Sequence, residues 1–419
     1  MQPLRGTKDI LPSDIKIWQN IYDIAKNLLH NYNYKEIRTP ILESTDLFEK
    51  CIGDFTDIVN KEMYNFKDQS ARRVTLRPEG TSSIARAILS NKLYLNNHMN
   101  RLWYSGPMFR YERPQQGRQR QFHQLGIECI GSEKPIADIE VIQLAYKILT
   151  QLKCNQECSL ELNSIGNIKE REMYTEQLTK YLTKYAKELD EDSQRRIHKN
   201  PLRILDSKIN KTQEILKDGP VLKDYLSIES LKHFDEICEN LDYLKIKYNI
   251  NSYLVRGLDY YNYTAFEIKT QLTHHQNTLC GGGRYDNLIE QLGGPKIPAV
   301  GWAIGIERLI ILMKQKLNTE IIDKKIYILT EDLYNINFIW DVINILEEYN
   351  LQFELDITNI NLNKKIRKAS KVGAKTCILL RNNEITKKQI LIKWLNTGKQ
   401  QTILFSNLKQ YIYYLKTIL

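Results

Sequence analysis

The segment at residues 101–131, RLWYSGPMFRYERPQQGRQRQFHQLGIECIG, constrains the fold of this chain more than any other. Two runs of strand-forming composition, 102–112 and 121–130, flank residues 113–120, which contain a Pro, a Gly and three Arg but no acidic residue. Because turn-forming residues mark where strands end, this pattern predicts a β-hairpin with a long polar tip.

The two predicted strands contain strong polar side chains among apolar neighbours, namely Arg110, Glu112, Gln124 and Glu128. Ordinary cores rarely contain so many, because a buried polar group without a partner is costly. A site that binds a small charged ligand and an anion requires such groups. The alternative is an exposed sheet face with solvated charges and a mobile turn.

The same segment resembles the second signature of class II aminoacyl-tRNA synthetases, which is a strand, a variable loop and a second strand. The signature is read as Phe-Arg-x-Glu and then an aromatic residue, and its counterparts here are Phe109, Arg110, Glu112 and Phe122. The wording Glu-Arg-Pro-Gln at 112–115 and Gln-Phe-His-Gln-Leu-Gly at 121–126 is similar to that of histidyl-tRNA synthetases. The resemblance implies that Arg110, Glu112 and Phe122 bind ATP.

Residues 254–267, LVRGLDYYNYTAFE, form a second informative segment. By composition alone it indicates a tyrosine-rich strand with one exposed arginine. Its first eight residues, however, resemble a segment peculiar to histidyl-tRNA synthetases, in which the arginine lies against the ATP phosphates. The resemblance implies that Arg256, with Arg110, is catalytic, because a fixed guanidinium stabilises charge that accumulates at the α-phosphate. It also implies that Mg²⁺ binds the outer phosphates, without a fixed protein metal site.

Three consecutive glycines at 281–283 precede Arg284 and Tyr285. They do not form a P-loop, because no Gly-Lys-Ser/Thr follows them. GWAIGIERL at 301–309 resembles the third class II signature, in which a strand leads into a helix and an arginine stacks on adenine. The resemblance implies that Arg308 and Phe122 hold the purine between them by stacking and cation–π attraction.

A set of polar residues is implied by the resemblance to bind histidine: Glu79, Thr81, Gln124, Glu128, Tyr260, Tyr261 and Tyr285. The first three would hold the α-ammonium group, because a buried ammonium requires an anion. Glu128 and Tyr261 would read the two imidazole nitrogens, and such a site rejects isosteres strongly. By composition alone, RPEGT at 77–81 is a plain turn. His123 is predicted to be a structural strand residue.

Changes in periodicity along the chain indicate its domain organisation. Residues 165–245 are polar, helical in period and heavily charged, unlike the β-rich stretches on either side. Short apolar runs at 324–330 and 374–381 lie near helical patterns, which predicts a small α/β domain with parallel strands after a linker at 317–323. Pattern and resemblance together predict an α+β catalytic domain with a mixed, mainly antiparallel sheet at 1–164 and 246–317, a helical insertion at 165–245, and a C-terminal α/β anticodon-binding domain at 324–419.

The N-terminal region combines a helical pattern at 13–31, with Ser13 as its cap, and a strand pattern at 34–42 that contains Pro40. A helix followed by a Pro-bearing strand resembles the first class II signature, which builds the dimer interface in the family. The resemblance therefore implies a homodimer. Asn33 stands where the family usually has glycine, and asparagine also tolerates positive φ.

The net charge of +10 favours a polyanionic partner, and residues 325–419 supply +6 of it. Four basic residues there share one face of a predicted helix: Lys364, Lys368, Lys371 and Lys375. A solvated helix face is the alternative, but the resemblance to an anticodon-binding domain favours tRNA(His). It also implies that Arg113 and Gln115, at the hairpin tip, approach the first base pair of that tRNA.

The seven cysteines follow no repeated spacing, which is typical of a reducing compartment. The N-terminal residues contain no apolar signal core, and Glu307 and Arg308 interrupt the longest apolar stretch, so no membrane span is expected. The expected compartment is the cytoplasm, or the plastid stroma if an organelle genome encodes the chain. The resemblance implies histidine–tRNA ligase activity, with ATP, L-histidine and tRNA(His) as substrates. The alternative is a catalytically inactive, synthetase-like regulatory subunit of ATP phosphoribosyltransferase.

Overall fold

The computed structural model describes residues 1–53, 56–96, 98–115, 117–270, 278–316, 326–331 and 336–418. The chain divides into two compact units, Met1–Lys316 and Leu317–Leu419. The linker predicted at 317–323 lies outside the described residues. Among the described helices, none combines the length and the apolar composition that crossing a membrane requires.

The first unit is built on a large sheet. Its strands are β1 (Lys35–Glu36), β2 (Leu42–Ser44), β3 (Tyr64–Lys67), β4 (Arg73–Leu76), β5 (Asn100–Phe109), β6 (Gln121–Ile130), β7 (Cys158–Ser164), β8 (Tyr248–Ile250), β9 (Asn262–Thr270), β10 (Thr278–Arg284) and β11 (Ala299–Gly305). Eight of them form one sheet in the order β1-β5-β6-β11-β10-β9-β7-β8, and β2-β4-β3 form a second. In the large sheet β1–β5 and β7–β8 are parallel pairs and the other pairs are antiparallel. The prediction of a mixed, mainly antiparallel sheet is confirmed.

Helices cover this sheet and extend from it. They are α1 (Pro12–Asn31), α2 (Thr45–Ile52), α3 (Thr81–Ser90), α4 (Leu93–Asn96), α5 (Pro135–Gln151), α6 (Ile168–Lys184), α7 (Glu191–Arg196), α8 (Asn210–Lys217), α9 (Ile228–Tyr243), α10 (Leu288–Gln291) and α11 (Ile306–Lys316). α5 packs on the sheet through apolar residues that are fully buried, including Val141, Ile142 and Ile148. α6 to α9 lie between β7 and β8 in the chain. The buried face of α6 contains an apolar residue at every fourth position, Tyr174, Leu178 and Leu182.

The N-terminal prediction was wrong in two details. α1 begins at Pro12, so Ser13 lies inside the helix and does not cap it. The strand predicted at 34–42 is divided, because β1 pairs with β5 in the large sheet while β2 pairs with β4 in the small one. Pro40 lies between them, and proline has no N–H for a sheet ladder. Asn33 has a φ of 59°, the conformation that glycine or asparagine adopts most readily.

The hairpin forms with a shorter first strand than predicted. β5 ends at Phe109 and β6 begins at Gln121, in antiparallel register with it. Arg110 and Glu112 therefore lie at the base of the connecting loop and not in the strand. This position frees their side chains from the alternation of a strand, so both face the same cavity.

The second unit contains β12 (Ile326–Thr330), β13 (Phe353–Asp356), β14 (Thr376–Leu380), β15 (Gln389–Trp394) and β16 (Gln400–Leu404), with α12 (Ile336–Glu348), α13 (Leu362–Lys371), α14 (Asn382–Thr386) and α15 (Leu408–Ile418). The strand order is β13-β12-β14-β15-β16. The first three strands are parallel, as the apolar runs predict, and β15 and β16 add antiparallel edges. α13 ends at Lys371 before Gly373, whose φ is 80°, so the prediction that Lys375 shares its face was wrong.

Candidate active site

A cavity in the first unit is bounded by the hairpin, β10, β11 and the irregular segment at 254–261. Many of the residues singled out in the sequence line it: Glu79, Thr81, Arg110, Glu112, Phe122, Gln124, Arg256, Tyr260, Tyr261 and Arg308. They come from five separate parts of the chain, and antiparallel pairing of β6, β11, β10 and β9 brings them together. Glu128 and Tyr285 are not on the cavity wall, but each contacts residues that are.

The carboxylate of Glu128 is fully buried in β6 and accepts two hydrogen bonds. Thr81 Oγ1 donates to Oε1 at 2.7 Å, and the Tyr285 hydroxyl donates to Oε2. Gly301 faces Glu128 across the β6–β11 pair, and a Cβ there would lie 1.9 Å from Oε2, so only glycine leaves room for this carboxylate. Burial raises the pKa of Glu128 to about 8, and the nearby Glu79 charge adds to this rise, while the hydrogen bonds from Tyr285 and Thr81 act against it.

Glu79 lies immediately before α3 and uses both carboxylate oxygens there. Oε2 accepts from the backbone N–H of Thr81 at 2.7 Å, and Oε1 accepts from the backbone N–H of Ser82 at 2.7 Å. A carboxylate at this end of a helix is stabilised by the free N–H groups and by the helix dipole. The result is a fixed, 3 % exposed anion on the wall of the cavity.

Gln124 brings a buried hydrogen-bond acceptor to the cavity. Its Oε1 is buried, and no hydrogen bond reaches it from the residues that the structure describes. The side chain lines the same cavity as Glu79 and Thr81. Because a buried amide oxygen is costly without a donor, this atom indicates a place for a donor group of a ligand.

Arg256 also lines the cavity and is held there by a carboxylate from β9. Its Nη1 donates to Glu267 Oε1, and its guanidinium carbon lies 5.7 Å from the centre of the Tyr261 ring. Burial alone would lower the pKa of Arg256, but the Glu267 charge raises it above the ordinary value. A Cβ on Gly281 would lie 2.0 Å from Nη2, so glycine in β10 allows the guanidinium to lie against the strand.

Arg110 and Glu112 form the base of the loop between the hairpin strands. Arg110 Nε donates to the Pro78 carbonyl at 2.9 Å, and its guanidinium carbon lies 5.2 Å from the Phe122 ring centre. Glu112 Oε2 pairs with Arg118 Nε at 2.5 Å. In this conformation the Arg110 guanidinium lies over one face of the Phe122 ring.

Arg308 extends from the first turn of α11 into the cavity. Its Nε donates to the Gly117 carbonyl at 2.9 Å, and its Nη1 donates to the Thr278 carbonyl at 2.7 Å. The guanidinium plane is therefore fixed between the hairpin loop and β10. A fixed, planar cation is suited to stacking on an aromatic ring of a ligand.

His123 is held in place by a carboxylate and by an aromatic ring, and its structural role remains a prediction. The Glu307 carboxylate accepts from the backbone N–H of His123 at 2.9 Å and lies 2.9 Å from its ring Nδ1. The His123 ring also packs edge-on against Trp18 of α1, with centres 4.7 Å apart. These contacts tie β6 to α11 and to α1.

The residues predicted to contact tRNA lie elsewhere. Arg113 and Gln115 are exposed in the hairpin loop and do not line the cavity. In the second unit Lys364, Lys368 and Lys371 are exposed on α13. Lys368 is also paired with Asp356 at 3.4 Å, so part of its charge serves the fold of this unit.

Sequence reasoning missed several residues that contribute to the cavity. Glu267 is the last residue of the segment 254–267, and Arg118 lies in the hairpin loop. The sequence analysis predicted no ion pair for either residue. Their pairing with Arg256 and Glu112 depends on strand register and loop conformation. The signal available for Glu267 was that an acidic residue occurs in the same segment as Arg256.

Comparison with known proteins gives a consistent result along the whole chain. The family profile described as histidyl-tRNA synthetase matches residues 6–309, and the anticodon binding domain profile matches residues 313–414. The chain is 57 % identical to the chloroplastic histidine–tRNA ligase of Gracilaria tenuistipitata, over 99 % of both proteins. It is 49 % identical to the histidine–tRNA ligase of Rippkaea orientalis, over 96 % of this chain and 94 % of the relative. The apo histidyl-tRNA synthetase structure from S. aureus superimposes with a TM-score of 0.82 at 35 % identity, covering 98 % of this chain and 99 % of that one.

Proposed function

The chain belongs to the histidyl-tRNA synthetase family, and from this membership we infer that it is a histidine–tRNA ligase. Such an enzyme joins a histidine carboxylate oxygen to the α-phosphorus of ATP, with pyrophosphate leaving, and so forms histidyl-adenylate. The 3′-terminal ribose hydroxyl of tRNA(His) then takes the acyl group, and AMP leaves. One observation at the cavity supports this inference most strongly. The Glu128 carboxylate is buried just behind the cavity wall, and the wall itself contains the Glu79 carboxylate and several arginine side chains.

Histidine recognition is proposed for the part of the cavity around Glu79. Its fixed carboxylate and the unpartnered Gln124 Oε1 suit the α-ammonium group, which has three N–H donors to satisfy. Thr81 has its hydroxyl proton directed to Glu128, and its oxygen still has room to accept. These contacts would fix the carboxylate of histidine at a set distance from the α-phosphate.

The imidazole ring is proposed to be read by Glu128 and Tyr261, with Tyr260 and Tyr285 shaping the pocket. Each oxygen of Glu128 accepts one protein hydrogen bond and retains a second lone pair for a ring N–H. Tyr261 lies with its ring centre 4.6 Å from that of Tyr260 and 6.4 Å from that of Tyr285. A substrate without the ring N–H would leave a buried carboxylate poorly satisfied.

ATP is proposed to occupy the remainder of the cavity. Phe122 and Arg308 would hold adenine between them, while Arg110 and Arg256 would contact the α-phosphate region. Arg256 is preorganised by Glu267, so little reorganisation is needed when negative charge develops in the transition state. Arg110 lies over Phe122 in this conformation, and its guanidinium would have to move from the ring for adenine to stack there.

Mg²⁺ is proposed to enter with the outer phosphates of ATP. Across the described part of the chain, no group of three His, Cys, Asp or Glu side chains is arranged to hold a metal ion. Glu112 lines the cavity and would offer one carboxylate oxygen to an ion whose other ligands are phosphate oxygens and water. The ion would supply charge neutralisation at pyrophosphate.

The macromolecular partners are proposed from both units. tRNA(His) would contact Arg113 and Gln115 near the catalytic cavity. Its anticodon would contact a set of lysines in the second unit, Lys364, Lys368 and Lys371. The proposed domain boundaries are those read from the sequence: 1–164, 165–245, 246–317 and 324–419.

A homodimer is supported by exposed apolar residues on the small sheet, where Leu42 is 51 % and Phe66 is 45 % exposed. The plastid stroma is the compartment that the chloroplastic relatives favour over the cytoplasm.

The test is histidine-dependent exchange of labelled pyrophosphate into ATP by the purified protein, with histidinol and the other amino acids as controls. Exchange with histidine alone, followed by charging of tRNA(His) and not of other tRNAs, is the expected result. A folded protein without histidine-dependent exchange would instead support the regulatory subunit of ATP phosphoribosyltransferase. Analytical ultracentrifugation of the same sample tests the homodimer.

A further inference from the structure

The segment at 254–261 supplies one arginine and two tyrosines to the cavity, yet it is neither helix nor strand. Its position therefore depends on specific contacts and not on a continuous sheet ladder. On the side of the catalytic unit, the backbone N–H of Asp259 donates to the Ile52 carbonyl at 3.1 Å. At its start, Asn163 of β7 donates from Nδ2 to the Leu254 carbonyl at 3.0 Å. Further contacts to its later residues come from the four helices that lie between β7 and β8 in the chain.

Arg171, in the first turn of α6, contacts this segment most directly. Its Nη1 donates to the carbonyl oxygen of Asp259 at 3.1 Å and to that of Tyr261 at 2.6 Å. One nitrogen thus bridges two carbonyls that bracket Tyr260. Bonds from a cationic donor are stronger than neutral ones, so they hold a short irregular segment effectively.

Two further contacts support the same arrangement. Asn200, between α7 and α8, donates from Nδ2 to Asp259 Oδ1 at 3.2 Å. Just after the segment, the backbone N–H of Tyr263 donates to the Gly166 carbonyl at 2.8 Å. The segment is therefore packed between the catalytic sheet and the helical insertion, with its functional side chains directed to the former.

We propose that Arg171 is a positioning residue for histidine: from the helical insertion it fixes the backbone that presents Tyr260 and Tyr261 to the amino acid, whereas Arg256 is held separately by Glu267. The proposal rests on the proposed function, since it concerns the same histidine site. It implies that displacement of α6 weakens histidine binding, and that bound histidine favours the docked insertion, because binding linkage is reciprocal. Arg171 itself touches no substrate.

Two substitutions of nearly equal length separate positioning from packing. Arg171→Lys keeps a cation with three N–H donors, and a single nitrogen makes both bonds in the wild-type protein. Arg171→Met keeps an apolar stem that packs on α6 but has no donor. Arg195→Ala is the matched control, because that arginine belongs to the same insertion but is 67 % exposed and pairs with Glu191 on the surface.

The experiment measures pyrophosphate exchange in each variant as a function of histidine and of ATP. For Arg171→Met we expect kcat/KM for histidine to fall about 10- to 100-fold, the effect of a displaced reacting group, with the KM for ATP within about twofold. Arg171→Lys should recover most of the loss, and Arg195→Ala should match the wild-type protein. Amide hydrogen exchange of residues 254–261 should be faster in Arg171→Met only.

The proposal is overturned if Arg171→Met retains wild-type kinetics, if Lys and Met are equally impaired, or if the KM for ATP rises as much as that for histidine. If Arg171→Met does not fold by circular dichroism, Asn200→Ala decides, with the same split between histidine and ATP expected and an unchanged histidine kcat/KM refuting it. Absence of histidine-dependent exchange in the wild-type protein would contradict the proposed function. Unchanged amide hydrogen exchange of residues 254–261 in a folded Arg171→Met variant would contradict only the positioning role of Arg171.

Discussion

Replacement of the buried Glu128 by glutamine tests the proposed histidine pocket most directly. The side chain is fully buried, and Thr81 and Tyr285 donate to its two oxygens. Glutamine has the same shape, but one of its terminal atoms is a donor. Either hydroxyl can rotate to accept from that donor, so Glu128→Gln is expected to fold.

At pH 9, above the pKa of Glu128 in the free protein, the carboxylate is ionised, and the expected kinetic effect follows from the loss of one charge-assisted hydrogen bond to the imidazole. Such a bond contributes about 1.5–3 kcal/mol, which corresponds to a fall of about 10- to 150-fold in kcat/KM for histidine. ATP does not contact Glu128 in the proposed arrangement, so the KM for ATP should remain within about twofold. Pyrophosphate exchange with each substrate varied in turn provides the measurement. Equal losses for histidine and ATP would mean that Glu128 supports the hairpin and does not read the ring.

The same substitution has an expected effect on stability that depends on pH. Burial raises the pKa of Glu128 to about 8, from an ordinary value of 4.5. Between these values the folded protein retains a proton that the unfolded chain has lost, so the free energy of unfolding falls as pH rises through this window. At about 1.4 kcal/mol for each pKa unit, this amounts to about 5 kcal/mol above pH 8. Thermal unfolding without substrates should therefore show Glu128→Gln gaining stability relative to the wild-type protein from pH 5 to pH 9. Parallel pH profiles for the two proteins would refute the reasoning.

Three other predictions concern the phosphate and tRNA sites. Arg256→Ala should leave a folded protein but reduce adenylate formation by at least about 100-fold, as loss of a preorganised charge partner typically does, and normal exchange would contradict this. The double substitution of Lys364 and Lys371 by alanine should weaken tRNA binding and lower its salt dependence by about one unit of slope per lost phosphate contact, with adenylate formation unchanged; normal binding at all salt concentrations would mean a merely solvated face. Alanine at Arg113 or Gln115 should instead slow transfer to tRNA(His) with little change in salt slope, and a steep loss of salt dependence would assign them to phosphate binding alone.

Several features could be predicted from sequence because they depend on local patterns. The hairpin follows from two strand-forming runs around a polar tip, and α6 follows from a helical period in a charged region. The family resemblance rests on short motifs whose members are close in sequence. These signals are local, so they do not require knowledge of which distant segments pair.

Element boundaries were less accurate for a related reason. The pattern at 34–42 does not reveal that its two ends join different sheets, and a run of lysines does not show that α13 ends at Lys371. Both outcomes depend on pairing and packing with segments that are far away in the chain.

The amino-acid sequence alone determined which residues were candidates for the site, and it determined the class of sheet that presents them. Tertiary structure alone decided their environment: Gly301 leaves space for the Glu128 carboxylate, Glu267 holds the Arg256 guanidinium in place, and Arg171 reaches two carbonyls about 90 residues away. The physical reason is that burial and electrostatic pairing depend on three-dimensional distance, whereas residue type and periodicity are read along the chain.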